Sequence, residues 1–177
     1  MKPPPANPSR LRVSLQIAAR RPWVPTAPAL RRWSRAAHAA GLAALTRKAR
    51  CAFPSEQAAV CIRIAGTVES RRLDRDYRGK DKPTNVLSFP ASPVERSSGG
   101  AIGDLVICAP VVAAEAREQG KALAAHWAHM VVHGTLHLLG FDHASARHAR
   151  VMERLEVEIL SGFGYSDPYL PVTRCPA

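Results

Sequence analysis

The first patterned stretch of the chain has period two. Leu11, Val13, Leu15 and Ile17 alternate with Arg12, Ser14, Gln16 and Ala18, which predicts a half-buried strand over 11–18. A proline-rich connector, 20–28 (RRPWVPTAP), leads to a helical pattern over about 29–48. There Leu30, Trp33, Ala37, Ala40 and Ala44 share one face, and Arg31, Arg32, Arg35 and Lys48 fall mostly off it. The run 58–65 (AAVCIRIA) predicts a second strand. A short helix over 68–77 carries Val68, Leu73 and Tyr77, with Thr67 as its cap and Gly79 as its stop. A third strand is expected over 84–89, a loop over 92–100 (SPVERSSGG) and a fourth strand over 101–108. Pro110 suits the first turn of the next helix, which pauses at Gly120 and Lys121 before a long helix over about 121–139. A last helix over 146–161 is capped by Ser145, turns Val151, Met152, Leu155 and Ile159 to the core, and ends at Gly162 and Gly164. There are no internal repeats. Four strands mixed with about five helices predict one α+β domain over 10–170, a small four-stranded mixed sheet with helices packed on it. Residues 1–9, with four of the fifteen prolines and no apolar periodicity, read as a disordered tail, and 171–177 as a C-terminal tail.

Length and composition narrow the classes. A chain of 177 residues with 46% apolar content forms one core without disulfide staples. No stretch approaches the ~20 apolar residues of a membrane span, and no apolar segment follows the N-terminus, so neither a membrane nor a secreted protein is expected. Cys51, Cys61, Cys108 and Cys175 include no C-x-x-C pair, which argues against a disulfide framework and a cysteine zinc site and fits a reducing compartment.

The net charge of +11 points to a polyanionic partner such as nucleic acid or the ribosome. It is not evenly spread. Residues 1–68 hold twelve Lys and Arg against one acid, Glu56, and residues 69–177 hold thirteen against thirteen. The basic surface therefore belongs to the N-terminal strand, connector and helix, with Arg31, Arg32 and Arg35 as candidate nucleic-acid contacts. An acid-free, arginine-rich start is also the composition of an organelle transit peptide, but the regular strand pattern favours a structural reading.

Five of the seven histidines lie within 126–143 (HWAHMVVHGTLHLLGFDH). On a helix, His133 and His137 share a face and converge on one ion. His143 joins them only if Gly140 ends the helix in a left-handed conformation and turns the chain back. Three neutral imidazoles suit one zinc ion with a fourth position open, the catalytic style of site. His126 and His129, two turns and one turn earlier, read as packing or as hydrogen-bond support for the ligands. Asp142 is placed to orient a ligand, cap a chain end or act as a base. The same histidine spacing occurs in metzincin proteases, where a glutamate follows the first histidine as general base. Here Gly134 stands at that position, so a peptidase lacks its key group. A second cluster, 77–83 (YRGKDKP), puts Arg78, Lys80 and Lys82 in one turn, a set of cations suited to phosphate.

These strings resemble the YbeY family of metal-dependent endoribonucleases that mature bacterial ribosomal RNA. The resemblance runs over about 58–170 and rests on 77–90 (YRGKDKPTNVLSFP), 103–108 (GDLVIC), 115–121 (EAREQGK), HGTLHLLGFDH and the late 164–169 (GYSDPY). It implies that His133, His137 and His143 hold the metal, usually zinc, in a cleft beside the long helix, and that Arg78 serves activity. It further implies cleavage of single-stranded RNA, maturation of the 3′ end of small-subunit rRNA, ribosome quality control, a cytoplasmic location, and ribosomal and assembly-factor partners. Two departures stand out. The first 57 residues are longer and more basic than the family leads one to expect, and 66–70 (GTVES) lacks an acidic run. Two other readings remain open at the level of sequence: a non-catalytic assembly factor with a structural metal, and a metal hydrolase of another substrate such as a peptide.

Overall fold

The computed structural model describes residues 11–19, 23–49 and 58–171. The tail expected at 1–9, part of the connector at 20–22 and all but the first residue of the tail expected at 171–177 lie outside them, as do Cys51 and Cys175. The elements in order are β1 (Arg12–Ile17), α1 (Ala27–Ala49), β2 (Ala59–Ala65), α2 (Thr67–Arg78), β3 (Val86–Pro90), α3 (Pro93–Gly99), β4 (Ala101–Cys108), α4 (Ala109–Glu118), α5 (Leu123–Leu138) and α6 (Ala146–Ser161). The sheet order is β1-β2-β4-β3. β1, β2 and β4 run parallel, and β3 closes the sheet antiparallel to β4.

The strand sequences explain this order. β2 and β4 are dense in apolar residues: Val60, Ile62, Ile64, Leu105 and Ile107 are buried on one face and Ala65 and Val106 on the other, as central strands covered on both faces require. β3 carries Pro90, which cannot donate to a ladder and is tolerated at an edge. Gly103 lets β3 lie close on β4. Its φ is +133°, and a Cβ there would sit 2.2 Å from the carbonyl oxygen of Phe89, so only glycine fits.

One face of the sheet supports α1, α5 and α6 around the main core, which includes Trp33, Trp127, Val131, Leu138, Met152 and Leu160. The other face is covered by α2, where Leu73 and Phe89 pack on Ala65, Leu87 and Val106. The long helix α5 is thus wedged between the sheet, α1 and α6, which fixes the orientation of each of its faces. Within its contact with α1, the buried hydroxyls of Ser34 and Thr135 lie 3.3 Å apart.

Several expectations change. Residues 93–99 form a helix, not a loop, so the described residues hold six helices where about five were expected. Its start is a capping box: the Ser92 hydroxyl accepts from the Glu95 N–H, the Glu95 carboxylate accepts from the Ser92 N–H, and Pro93 presets the first turn. Gly66, not Thr67, is the N-cap of α2, and Thr67 is its first residue. Val151 is 37% exposed, because the buried face of α6 is set by Met152, Leu155, Glu156, Ile159 and Leu160. The strand reading of the arginine-rich start holds, since β1 pairs with β2 along six residues.

Candidate metal centre

His126, His129, His133 and His137 follow one another at spacings of three or four along α5, so their rings line one face. That face is turned toward α6. The helix ends as its glycine requires. Gly140 adopts φ +91°, its N–H reaches the His137 carbonyl at 2.9 Å, and the Phe141 N–H reaches Leu136 at 3.1 Å. The chain then folds back and lays the His143 ring against the first two. The His143 ring centroid is 5.3 Å from that of His133 and 5.4 Å from that of His137.

Ring nitrogens of His133, His137 and His143 all lie within 4.8 Å of one another. The Nε2 atoms of His133 and His137 are 3.1 Å apart. Two nitrogens at 2.0–2.1 Å from a common tetrahedral ion lie roughly 3.3 Å apart, so the set fits one metal ion. Burial first, then the neighbouring rings of His133 and His143, push the pKa of His137 down to about 4. It is therefore neutral, with a lone pair to give, throughout the physiological range. His133 and His137 are half-buried, and the exposed His143 leaves the centre open on one side.

The support behind the ligands comes from α6. Glu156 is 0% exposed, and its carboxylate accepts from His133 Nδ1 at 2.8 Å, from His129 Nε2 at 3.3 Å and from the Tyr169 hydroxyl. Burial alone would raise its pKa, but the hydrogen bonds from His129 and His133 outweigh that and hold it at about 2. With the proton fixed on Nδ1, His133 presents Nε2 as the free lone pair, the arrangement of a carboxylate that orients a metal-binding imidazole. Burial and the bond to Glu156 raise the pKa of Tyr169, so it remains a donor.

A parallel pair lies further along α5. His126 Nε2 donates to Glu115 of α4 at 2.8 Å, and Asn85 donates to the same carboxylate at 3.1 Å. His126 and His129 each hydrogen-bond a carboxylate, and His129, His133 and Glu156 also bring ligand atoms within 4.8 Å of one another. Asp142 caps the return turn, accepting from the Ala144 N–H at 3.0 Å, and lies 3.4 Å from His148.

Sequence reasoning missed Glu156 and Tyr169. The signal for Glu156 was present: a carboxylate sits on the buried stripe 152-155-156-159, where an apolar residue belongs. Tyr169 reaches the site through a chain reversal that no local pattern encodes.

Gly134 carries more than the lack of a base. A Cβ there would lie 2.9 Å from Leu105 Cδ2 and 3.2 Å from Val86 Cγ2, because this side of α5 rests on the sheet. A glutamate at 134 would point into β3 and β4, away from the ion.

The predicted phosphate-binding turn follows α2. Arg78 is half-exposed and lies 3.9 Å from the buried Asp74, and Lys80 and Lys82 are exposed with no ion pair among the described residues. The cations of α1 are partly engaged. Arg31 and Arg35 donate to the Val13 and Leu11 carbonyls at 3.4 and 3.1 Å, tying α1 to β1, and the Arg32 guanidinium sits 4.7 Å over the Phe163 ring.

Comparison with known proteins reaches the same family as the sequence strings. The family model described as endoribonuclease YbeY matches residues 31–164. The match takes in α1, well upstream of residue 58, where the resemblance read from the sequence begins. A relative named endoribonuclease YbeY, from Alkalilimnicola ehrlichii, is 52% identical over 155 residues, covering 86% of this chain and 87% of its own. The solution structure of TM1509 from Thermotoga maritima matches 90% of this chain and 99% of that one, with a TM-score of 0.53 at 20% identity, a likeness of fold.

Proposed function

The chain belongs to the YbeY endoribonuclease family, and from that premise we propose that it is a zinc-dependent enzyme that cuts single-stranded RNA during maturation of the small-subunit rRNA 3′ end. The observation that carries the reading is the convergence of His133, His137 and His143, with no carboxylate at position 134 to serve a peptidase. One ion is assigned to the three imidazoles. When bound, it supplies Lewis acidity toward a phosphoryl oxygen. The catalytic domain runs over 10–170.

The residues around the ion define the remaining tasks. Glu156 fixes the tautomer and direction of His133. Arg78 offsets charge that builds on the phosphate as the bond breaks, as electrostatic catalysis requires. Lys80 and Lys82 hold flanking phosphates, and Arg31, Arg32 and Arg35 extend that basic surface along α1. The attacking group is a water or the RNA's own 2′-hydroxyl, and with Gly134 beside His133 its proton must pass to an acceptor elsewhere than position 134. Small-subunit particles and assembly factors are the partners, in the cytoplasm; no helix among the described residues is long and apolar enough to cross a membrane.

Arg78→Ala is expected to lower kcat on a single-stranded RNA by about 10²-fold, with Arg78→Lys intermediate and metal content unchanged. The wider test sets single-stranded RNA beside casein, each with and without chelator. Chelator-sensitive RNA cleavage with intact casein supports the reading, and casein hydrolysis without RNA cleavage overturns it.

A further inference from the structure

We propose that Tyr77, braced against Phe89 at the free edge of β3, is a stacking platform for one base of the RNA that the metal centre cuts; this rests on the endoribonuclease reading above. Tyr77 is 69% exposed, the most exposed aromatic ring among the described residues. It is not loose. Its ring meets Phe89 at a centroid distance of 4.9 Å and an interplanar angle of 71°, so the half-buried Phe89 holds it in place. The Tyr77 hydroxyl makes no hydrogen bond among the described residues, so a polar role for its tip does not explain the exposure.

The surroundings match a nucleic acid strand. Asp76 is paired with Arg75 at 3.1 Å and Asp81 with Arg71 at 2.5 Å, which neutralises the acids of this segment. Arg78, Lys80 and Lys82 follow Tyr77 within five residues of the chain, and all three are exposed. A π-face flanked by cations is the combination that binds single strands, with bases on the ring and phosphates on the charges.

Its position suits the metal centre. β3 is the terminal strand of the sheet, and among the described residues no further strand covers its outer edge. Phe89 lies on the α2 face, and the preceding Ser88 faces α5, where its hydroxyl donates to the Gly134 carbonyl at 3.4 Å. Gly134 directly follows His133. β3 therefore lies between the α2 face that carries Tyr77 and the helix α5 that carries the histidines, and the proposed RNA path rounds this edge strand from the platform toward the α6-facing side of α5.

The test uses full-length protein with chelator, so that no RNA is cut, and a single-stranded RNA carrying 2-aminopurine. Wild type and Tyr77→Phe are expected to quench the 2-aminopurine and to bind within about twofold of each other. Tyr77→Leu keeps an apolar side chain against Phe89 but is expected to lose the quench and bind about 5- to 100-fold more weakly. With metal restored, Tyr77→Leu raises KM more than it lowers kcat, and its metal content matches wild type. A Tyr77→Leu protein that binds and quenches like wild type overturns the platform while leaving the endoribonuclease reading intact. RNA that stacks on Tyr77 but is never cut by metal-loaded protein overturns the endoribonuclease reading instead.

Discussion

Replacing His133 and His137 together with alanine is expected to abolish metal binding and to lower cleavage of single-stranded RNA by at least about 10³-fold, with the fold retained. The rate follows from what a bound ion contributes. Several kcal/mol of transition-state stabilisation corresponds to three or more powers of ten. Retention of the fold follows from where the two rings sit. Both are half-buried at the open side of α5, outside the main core. Alanine is the best helix former, so α5 itself is not weakened. Glu156 loses one donor but keeps His129 and Tyr169, so its charge is not stranded. Metal analysis, circular dichroism and a labelled-RNA assay read the three outcomes separately. Undiminished cleavage by the metal-free double variant would falsify the assignment of these ligands.

Glu156 is the second point of leverage. Glu156→Ala removes the acceptor shared by His129, His133 and Tyr169 in a fully buried site. Breaking a buried network of this kind costs about 3–5 kcal/mol, so the urea midpoint should fall clearly. Metal affinity should fall by about 10- to 100-fold, because the His133 ring loses the bond that sets its tautomer and direction. Glu156→Gln keeps an acceptor oxygen without the charge and should lie between the alanine variant and wild type in both measurements. If Glu156→Ala bound metal and unfolded like wild type, the carboxylate would have no part in the centre.

What the sequence disclosed and what it hid follow from the range of each interaction. The histidine cluster was legible because it is local. His133 and His137 are one helical turn apart, and Gly140, at φ +91°, ends the helix where the chain turns His143 back toward them. The strands were legible from their apolar runs, and the capping box at Ser92 and Glu95 was missed although its residues stand in the expected order. Sheet order was not readable, since nothing within β3 states that it inserts antiparallel beside β4. Glu156 meets His133 across 23 residues through the packing of α6 on α5, and Tyr169, beyond the end of α6, comes back to bond Glu156 and meet the His129 ring. Gly134 shows the same limit. The sequence says that a base is missing, and the structure adds that the sheet leaves no room for one.

The charge distribution also gains a physical content. Two of the three α1 arginines use part of their guanidinium groups to hold β1, so the surplus of the N-terminal part has a structural share as well as the RNA contact proposed for it. The balanced remainder of the chain still presents Lys80 and Lys82, exposed and without an ion pair among the described residues, in the segment after Tyr77, where Asp76 and Asp81 are held by Arg75 and Arg71.

The most direct measurement is a titration of metal-depleted full-length protein with zinc, following initial rates of single-stranded RNA cleavage. The expected result is no cleavage without metal, a rise that saturates at one equivalent per chain, and no response in the His133→Ala/His137→Ala protein. Full activity in the depleted protein, or a response to zinc that survives loss of both histidines, would contradict it.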